Sequence, residues 1–112
     1  MIARAFGGKE VLGKAPVPEK GWIEVNATPT SRKALAASLP PLFGTDASHV
    51  ECVHTLPRGF EKTFTNDACG IQGFQSLKGE IHGVQFHPER QHPDTAEENL
   101  VGQKLFQEFL KL

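Results

Sequence analysis

The sequence predicts an α/β fold, rich in extended segments and closed by one amphipathic helix. Three observations predict it: apolar and polar residues alternate over Gly21 to Thr28, short extended segments separated by turn residues fill Leu56 to Phe86, and a wide apolar stripe runs from Leu100 to Leu112. At 112 residues the chain reads as a single domain, 1–112, too short for a catalytic domain plus an acceptor domain.

Each element follows from local chemistry. Met1 to Phe6 is apolar and is stopped by Gly7-Gly8, which reads as the last turns of a helix with a glycine cap. An isolated helix shorter than about 12 residues is marginal in water, so the chain reads as starting partway through an element. Lys9 to Gly13 reads as a short strand. Ala15-Pro16-Val17-Pro18 reads as an extended loop, because proline has no N–H to offer a ladder. Gly21 to Thr28 is a half-buried strand, Ser31 to Leu39 an alanine-rich helix ended by Pro40-Pro41, and Ser48 to His54 another strand. Leu56-Pro57-Arg58-Gly59 is a turn. Phe60 to Thr65, Gly70 to Gln75 and Glu80 to Phe86 then read as an antiparallel meander, the last two joined at Lys78-Gly79. Asp94 with Glu97 makes a capping box for the final helix, which carries Leu100, Val101, Leu105, Phe106, Phe109, Leu110 and Leu112 on its apolar side.

Composition excludes several classes. Twelve basic against 13 acidic residues leave a net charge of −1, with no global footprint for nucleic acid or an anionic membrane. Arg58, Lys62 and Lys78 are scattered, with neither interleaved aromatics nor a glycine-rich phosphate loop. No apolar run reaches the ~20 residues that span a bilayer. Cys52 and Cys69 are too far apart for a Cys-x-x-Cys pair and too few for a disulfide framework, so they read as two small buried hydrophobes in a reducing, cytoplasmic setting. His82, His87 and His92 recur every five residues, but that step alternates strand faces, so neither a metal nor another cofactor is expected.

The chemistry concentrates in Gly83-Val84-Gln85-Phe86-His87-Pro88-Glu89. His87 and Glu89 are two residues apart, and an extended backbone points both the same way. Pro88 pushes His87 toward extended dihedrals and fixes its own φ. A carboxylate beside one imidazole nitrogen fixes the tautomer and stabilises the imidazolium formed when the other nitrogen takes a proton from a nucleophile. From spacing alone, the pair reads equally as a polar strand end.

Gly83 to Glu89 resembles the histidine and glutamate signature that closes the class I glutamine amidotransferase domain. Softer matches stand in the same order: Ala5-Phe6-Gly7-Gly8-Lys9 is similar to the end of the helix behind that family's nucleophile, Gly21-Trp22 to the strand beyond it, and Asp67 to Phe74 to the strand before the final hairpin. The resemblance runs from Met1 to about Phe109 and covers the C-terminal half of the family's domain. It implies a partial flavodoxin-like sheet with a C-terminal helix, His87 as base and acid, and Glu89 as its orienter. In that family a cysteine on a tight strand-to-helix turn attacks the glutamine amide and releases ammonia through a thioester.

The nucleophile elbow of the family, Gly-x-Cys-x-Gly-x-Gln, is absent from this sequence. Such a turn needs small residues two positions to either side of the nucleophile, and neither Val50-Glu51-Cys52-Val53-His54 nor Asp67-Ala68-Cys69-Gly70 supplies them on both sides. His49-Val50-Glu51 matches a His-x-Asp stretch of the family in one alignment and not in another; His49 and His54 therefore receive no role and read as solvated strand histidines.

Two functions follow as expectations. The first is a class I glutamine amidotransferase-like protein, inactive in this truncated form, whose full-length relatives hydrolyse glutamine or a γ-glutamyl compound. The second is a non-catalytic interaction module, or one half of a split domain, covering an exposed sheet edge with a partner chain or by self-association. Because Met1 falls just past the nucleophile motif, the chain also reads as a fragment. Neither nucleic acid nor membrane is an expected partner.

Overall fold

The protein's computed structural model describes residues 7, 12–32, 39–79, 81–88, 90 and 96–110. Strand β1 (Leu12–Ala27) is followed by a short helix α1 (Pro29–Arg32) and then by β2 (Leu42–Val53), β3 (Phe60–Thr65), β4 (Gly73–Ser76), β5 (His82–Val84) and β6 (Phe86–His87). A 15-residue helix, α2 (Ala96–Leu110), comes last. The strands form a six-stranded sheet of order β5-β4-β3-β1-β2-β6.

β1 and β2 form the long central hairpin, paired from Leu12↔Val53 to Asn26↔Leu42. The pairing slips between Lys14 and Glu19, where β1 carries extra residues including Pro16 and Pro18. The sequence reading of 15–18 as a loop is corrected here: the segment stays within β1, and the missing proline donors are accommodated as an irregularity in the ladder. β1 takes in Leu12 and Gly13 of the short strand expected before the prolines, whose residues 9–11 lie outside the described residues, and the strand expected after them as far as Ala27. β2 begins at Leu42 rather than Ser48. The helix expected over Ser31 to Leu39 is represented by α1, which starts at Pro29; residues 33–38 lie outside the described residues. The helix end at Met1 to Phe6, the capping residue Asp94 and His92 also lie outside them.

β3 matches its predicted bounds, and β3, β4 and β5 form the predicted antiparallel meander. Gly79 donates its N–H to Ser76 O at 2.8 Å and adopts φ +73°, a conformation that disfavours side chains with a Cβ. The segment predicted as one strand over Glu80 to Phe86 is instead two strands. β5 pairs with β4, whereas β6 crosses to the far edge and pairs with β2 through Ala47↔Phe86 and Asp46↔His87.

This split dictates the shape of the sheet. Laid flat, six strands separate the outermost pair by about 24 Å at ~4.8 Å per strand. Val84 and Phe86 are separated by a single residue, a step of at most about 7 Å. The sheet therefore curls until its two edges approach at Gln85.

The main core gathers side chains from β1, β2, β3, β6 and α2. Val25, Leu39, Phe43, Phe64, Phe86 and Leu105 are buried together, with Ile23, Ala27, Val84 and Val101 packed against them. Phe43, Phe64 and Phe86, from β2, β3 and β6, meet edge to face with centroids 5.3–6.0 Å apart. A second cluster, Val53, Ile71 and Phe74 with Leu12, Leu56 and Phe60, sits at the other end of the hairpin. Helix α2 contributes Leu105, fully buried, and Val101, while Leu100 from its predicted apolar stripe is exposed.

Cys52 and Cys69 are buried against each other as a disulfide, with Cα atoms 6.2 Å apart, a usual bridging distance. Their expected burial holds, but the reading of two independent thiols is corrected: the curl brings the end of β2 to the segment after β3.

Both the aromatic cluster and the helix contact can be probed by substitution. Phe64→Ala empties the centre of the cluster and lowers unfolding free energy by about 3–5 kcal/mol, to be measured by urea denaturation. A Cβ at Gly102 of α2 would lie 2.5 Å from Pro88 O; Gly102→Ala is therefore expected to cost about 1–3 kcal/mol in the same titration.

Candidate active site at the end of strand β6

His87 is the last residue of β6 and is half-buried. Its position follows from the sequence: Phe86 anchors the strand in the core, and Pro88 ends the ladder. Beyond it, Arg90 N–H donates to His87 O at 3.2 Å and closes a turn over 87–90. Glu89 lies outside the described residues.

The register sets the neighbours of His87. Asp46 is its direct partner on β2, and Trp22 is the partner of Asp46 on β1. Directly opposed residues share a sheet face, so Trp22, Asp46 and His87 form one row across three strands. Arg90 Nη1 donates to Asp46 Oδ2 at 2.8 Å, with the arginine side chain about half exposed. Such a pair is worth at most about 1 kcal/mol, but it ties the turn after His87 back to the strand beside it. Gly102 lets α2 approach Pro88 from another direction. Neither Asp46 nor Arg90 was legible as a site residue, because their pairing depends on β6 crossing to β2. A cavity of about 740 Å³ is lined in part by Trp22, Glu24, Leu42 and Gly44; of the row, Trp22 alone is among its lining residues.

The reading of His49 as a solvated histidine is corrected. Its side chain is only 11% exposed, and its Nε2 lies 3.1 Å from Oε1 of Glu19, its register partner on β1. His49 Nδ1 donates to Glu51 O at 3.0 Å. Glu19 is itself buried and accepts from Gln72 Nε2 at 2.5 Å and from Asn66 Nδ2 at 2.8 Å. Asn66 Oδ1 in turn accepts from Cys69 N–H and Gln72 Nε2. Hydrogen bonds to a charged group contribute about 1.5–3 kcal/mol each. This polar cluster fastens the segment 66–72 to β1 and β2. Periodicity gives no signal for such a pairing; the two facing strands supply it.

His54 is exposed at the end of β2, as expected. His82 and His87 lie on β5 and β6, the two edge strands, and His82 Nε2 donates to Gly79 O at 2.8 Å. Among the described residues no three of the His, Cys, Asp and Glu side chains come together as a metal site, and no helix is long and apolar enough to cross a membrane.

Comparison with known proteins places this geometry in context. The model of the glutamine amidotransferase class-I family matches residues 1–108. A glutamine-hydrolyzing GMP synthase subunit from Archaeoglobus fulgidus is 30% identical over 112 residues, covering 100% of this chain and 56% of the relative. The corresponding protein of Haloarcula marismortui is 38% identical over 78 residues, 70% of this chain and 38% of the relative. Among solved structures, a putative GMP synthase subunit from Thermoplasma acidophilum superposes with TM-score 0.75 at 26% identity, over 89% of this chain and 46% of that one. A glutamine amidotransferase from Methylobacillus flagellatus has the same fold, with TM-score 0.69 at 15% identity, over 89% of this chain and 55% of that one. The chain thus spans about half the length of the relatives it matches. With the flavodoxin-like fold of these neighbours and a family match over nearly its whole length, the chain belongs to the class I glutamine amidotransferases.

Proposed function

We propose that this chain supplies the histidine half of a glutamine-hydrolysing site, with His87 as general base and acid and Glu89 as the carboxylate that orients it. The observation that carries the proposal is the placement of His87: a strand end held by Phe86 in the core, a turn closed by Arg90, and a tie from Arg90 to Asp46. A base acting on a nucleophile must be fixed in direction as well as present.

In this reading a cysteine supplied by another polypeptide segment gives its proton to the His87 imidazole and attacks the side-chain amide carbon of glutamine. The imidazolium then protonates the leaving nitrogen, ammonia departs, and a thioester remains. His87 next takes a proton from water, which attacks the thioester, releases glutamate and restores the thiol. Glu89 stabilises the imidazolium in both steps. The 112 residues contain no Gly-x-Cys-x-Gly elbow, and the two cysteines are bonded to each other; the chain alone is therefore proposed to be inactive. The names of the relatives join glutamine hydrolysis to GMP synthesis and mark each as one subunit of a larger enzyme. We extend glutamine, or a γ-glutamyl compound, and a partner chain to this protein. A cytoplasmic setting goes with this reading.

A second reading, a non-catalytic module or split-domain half that pairs with a partner chain, draws on the half-length match. One assay separates the two. The full chain is tested for ammonia release from glutamine alone and after mixing with a nucleophile-bearing N-terminal half of the Archaeoglobus relative. We expect no release from the chain alone, release from the mixture, and a loss of at least about a thousandfold in the mixture with His87→Ala. Turnover by the chain alone that survives His87→Ala defeats the proposal, while a stable mixed complex without turnover favours the second reading.

A further inference from the structure

The Cys52–Cys69 disulfide is placed where it acts on the candidate site. Cys69 precedes Ile71 and Gln72, and these two residues hold Gln85, the single residue joining the two edge strands. Gln85 N–H donates to Gln72 O at 2.8 Å, and Gln85 Nε2 donates to Ile71 O at 2.9 Å and to Cys69 Sγ at 3.4 Å. Two residues later the chain reaches His87. Both cysteines are at least 97% buried, yet a cavity of about 300 Å³ reaches them, lined also by His54, Lys62 and Asp67. That volume suits a small molecule.

We propose that Cys52–Cys69 is a thiol-exchange site that takes small dithiols, and that its redox state sets the position of Gln85 and thereby of His87. The proposal rests on the reading of His87 as a site residue only for its consequence; the exchange chemistry stands apart from it. A thiolate of the dithiol attacks one cysteine sulfur, the S–S bond breaks, and the other cysteine leaves as a thiolate. The second thiol of the reductant then closes on the mixed disulfide and releases the first cysteine. Two electrons and two protons pass to the protein, giving two thiols, and the dithiol becomes a cyclic disulfide.

Reduction removes a cross-link between residues 17 apart but leaves the bonds from Asn66 and Gln72 to Glu19. The segment therefore loosens locally while the rest of the sheet holds, as expected for a sub-global opening.

The test uses the full chain, equilibrated with oxidised or reduced dithiothreitol. Quenched alkylation under denaturing conditions with mass spectrometry counts thiols, and amide hydrogen exchange by NMR reads local opening. We expect no thiols in the oxidised chain and two in the reduced one. The Gln85 amide should exchange at least about tenfold faster on reduction, with Val25 and Phe43 within about twofold, and the His87 ring resonances should shift between the states. Cys52→Ser should show the fast Gln85 exchange in either buffer. Two thiols persisting in the oxidising buffer, a bond that resists the dithiol, or unchanged Gln85 exchange overturns the proposal. So does a Gln85 response to the dithiol that persists in Cys52→Ser; if that variant does not fold, the comparison of the two states of the unmodified chain decides alone. None of these readouts involves glutamine, so failure of the amidotransferase reading is seen separately, as absent ammonia release.

Discussion

The passage from Val84 to Phe86 governs this molecule. One residue must carry the chain between strands that stand at opposite ends of the hydrogen-bonded order. A flat sheet cannot satisfy that requirement, so the sheet curls, and the curl has three consequences. Phenylalanines from β2, β3 and β6 meet in the core. The end of β2 is brought to the segment after β3, where the two cysteines join. His87 arrives beside Asp46 rather than at the open end of the meander. Gln85, at the crossing, has its amides bonded to Ile71 and Gln72, so the crossing is held in place by the backbone of a neighbouring segment.

Much of the local structure was legible because it is written in local chemistry. Turn residues flank Phe60 to Thr65, and β3 takes those bounds; alternation marks the last part of β1, and proline after histidine marks the end of β6. What the sequence concealed is long-range. Glu80 to Phe86 has the composition of one strand, and nothing within it shows that two different partners divide it. His49 reads as a solvated strand histidine until β1 is laid against β2, after which it and Glu19 are register partners and mostly buried. The same holds for Cys52 and Cys69, whose spacing has no meaning until the curl closes. His87 was singled out by its motif, whereas its neighbours Asp46 and Arg90 come into view only through the crossing of β6.

The two polar clusters show a division of labour. Around Glu19, buried amides and a histidine surround a carboxylate and secure the segment 66–72, with geometry that water does not screen. Around His87 the tie is an exposed arginine to a partly exposed aspartate, weak in isolation but aimed along the turn. The first cluster secures the segment whose backbone holds Gln85, and the second ties the turn after β6 to the strand beside it.

The contact between Gly102 and Pro88 extends this logic to helix α2. Helix α2 meets the turn at a point that admits no side chain, so its rotation about its own axis is fixed as well as its distance. Val101 and Gln103 lie about 100° to either side of Gly102 on the helix, and neither could take its place without moving α2 away from Pro88, so a single glycine settles which side of the helix faces the turn.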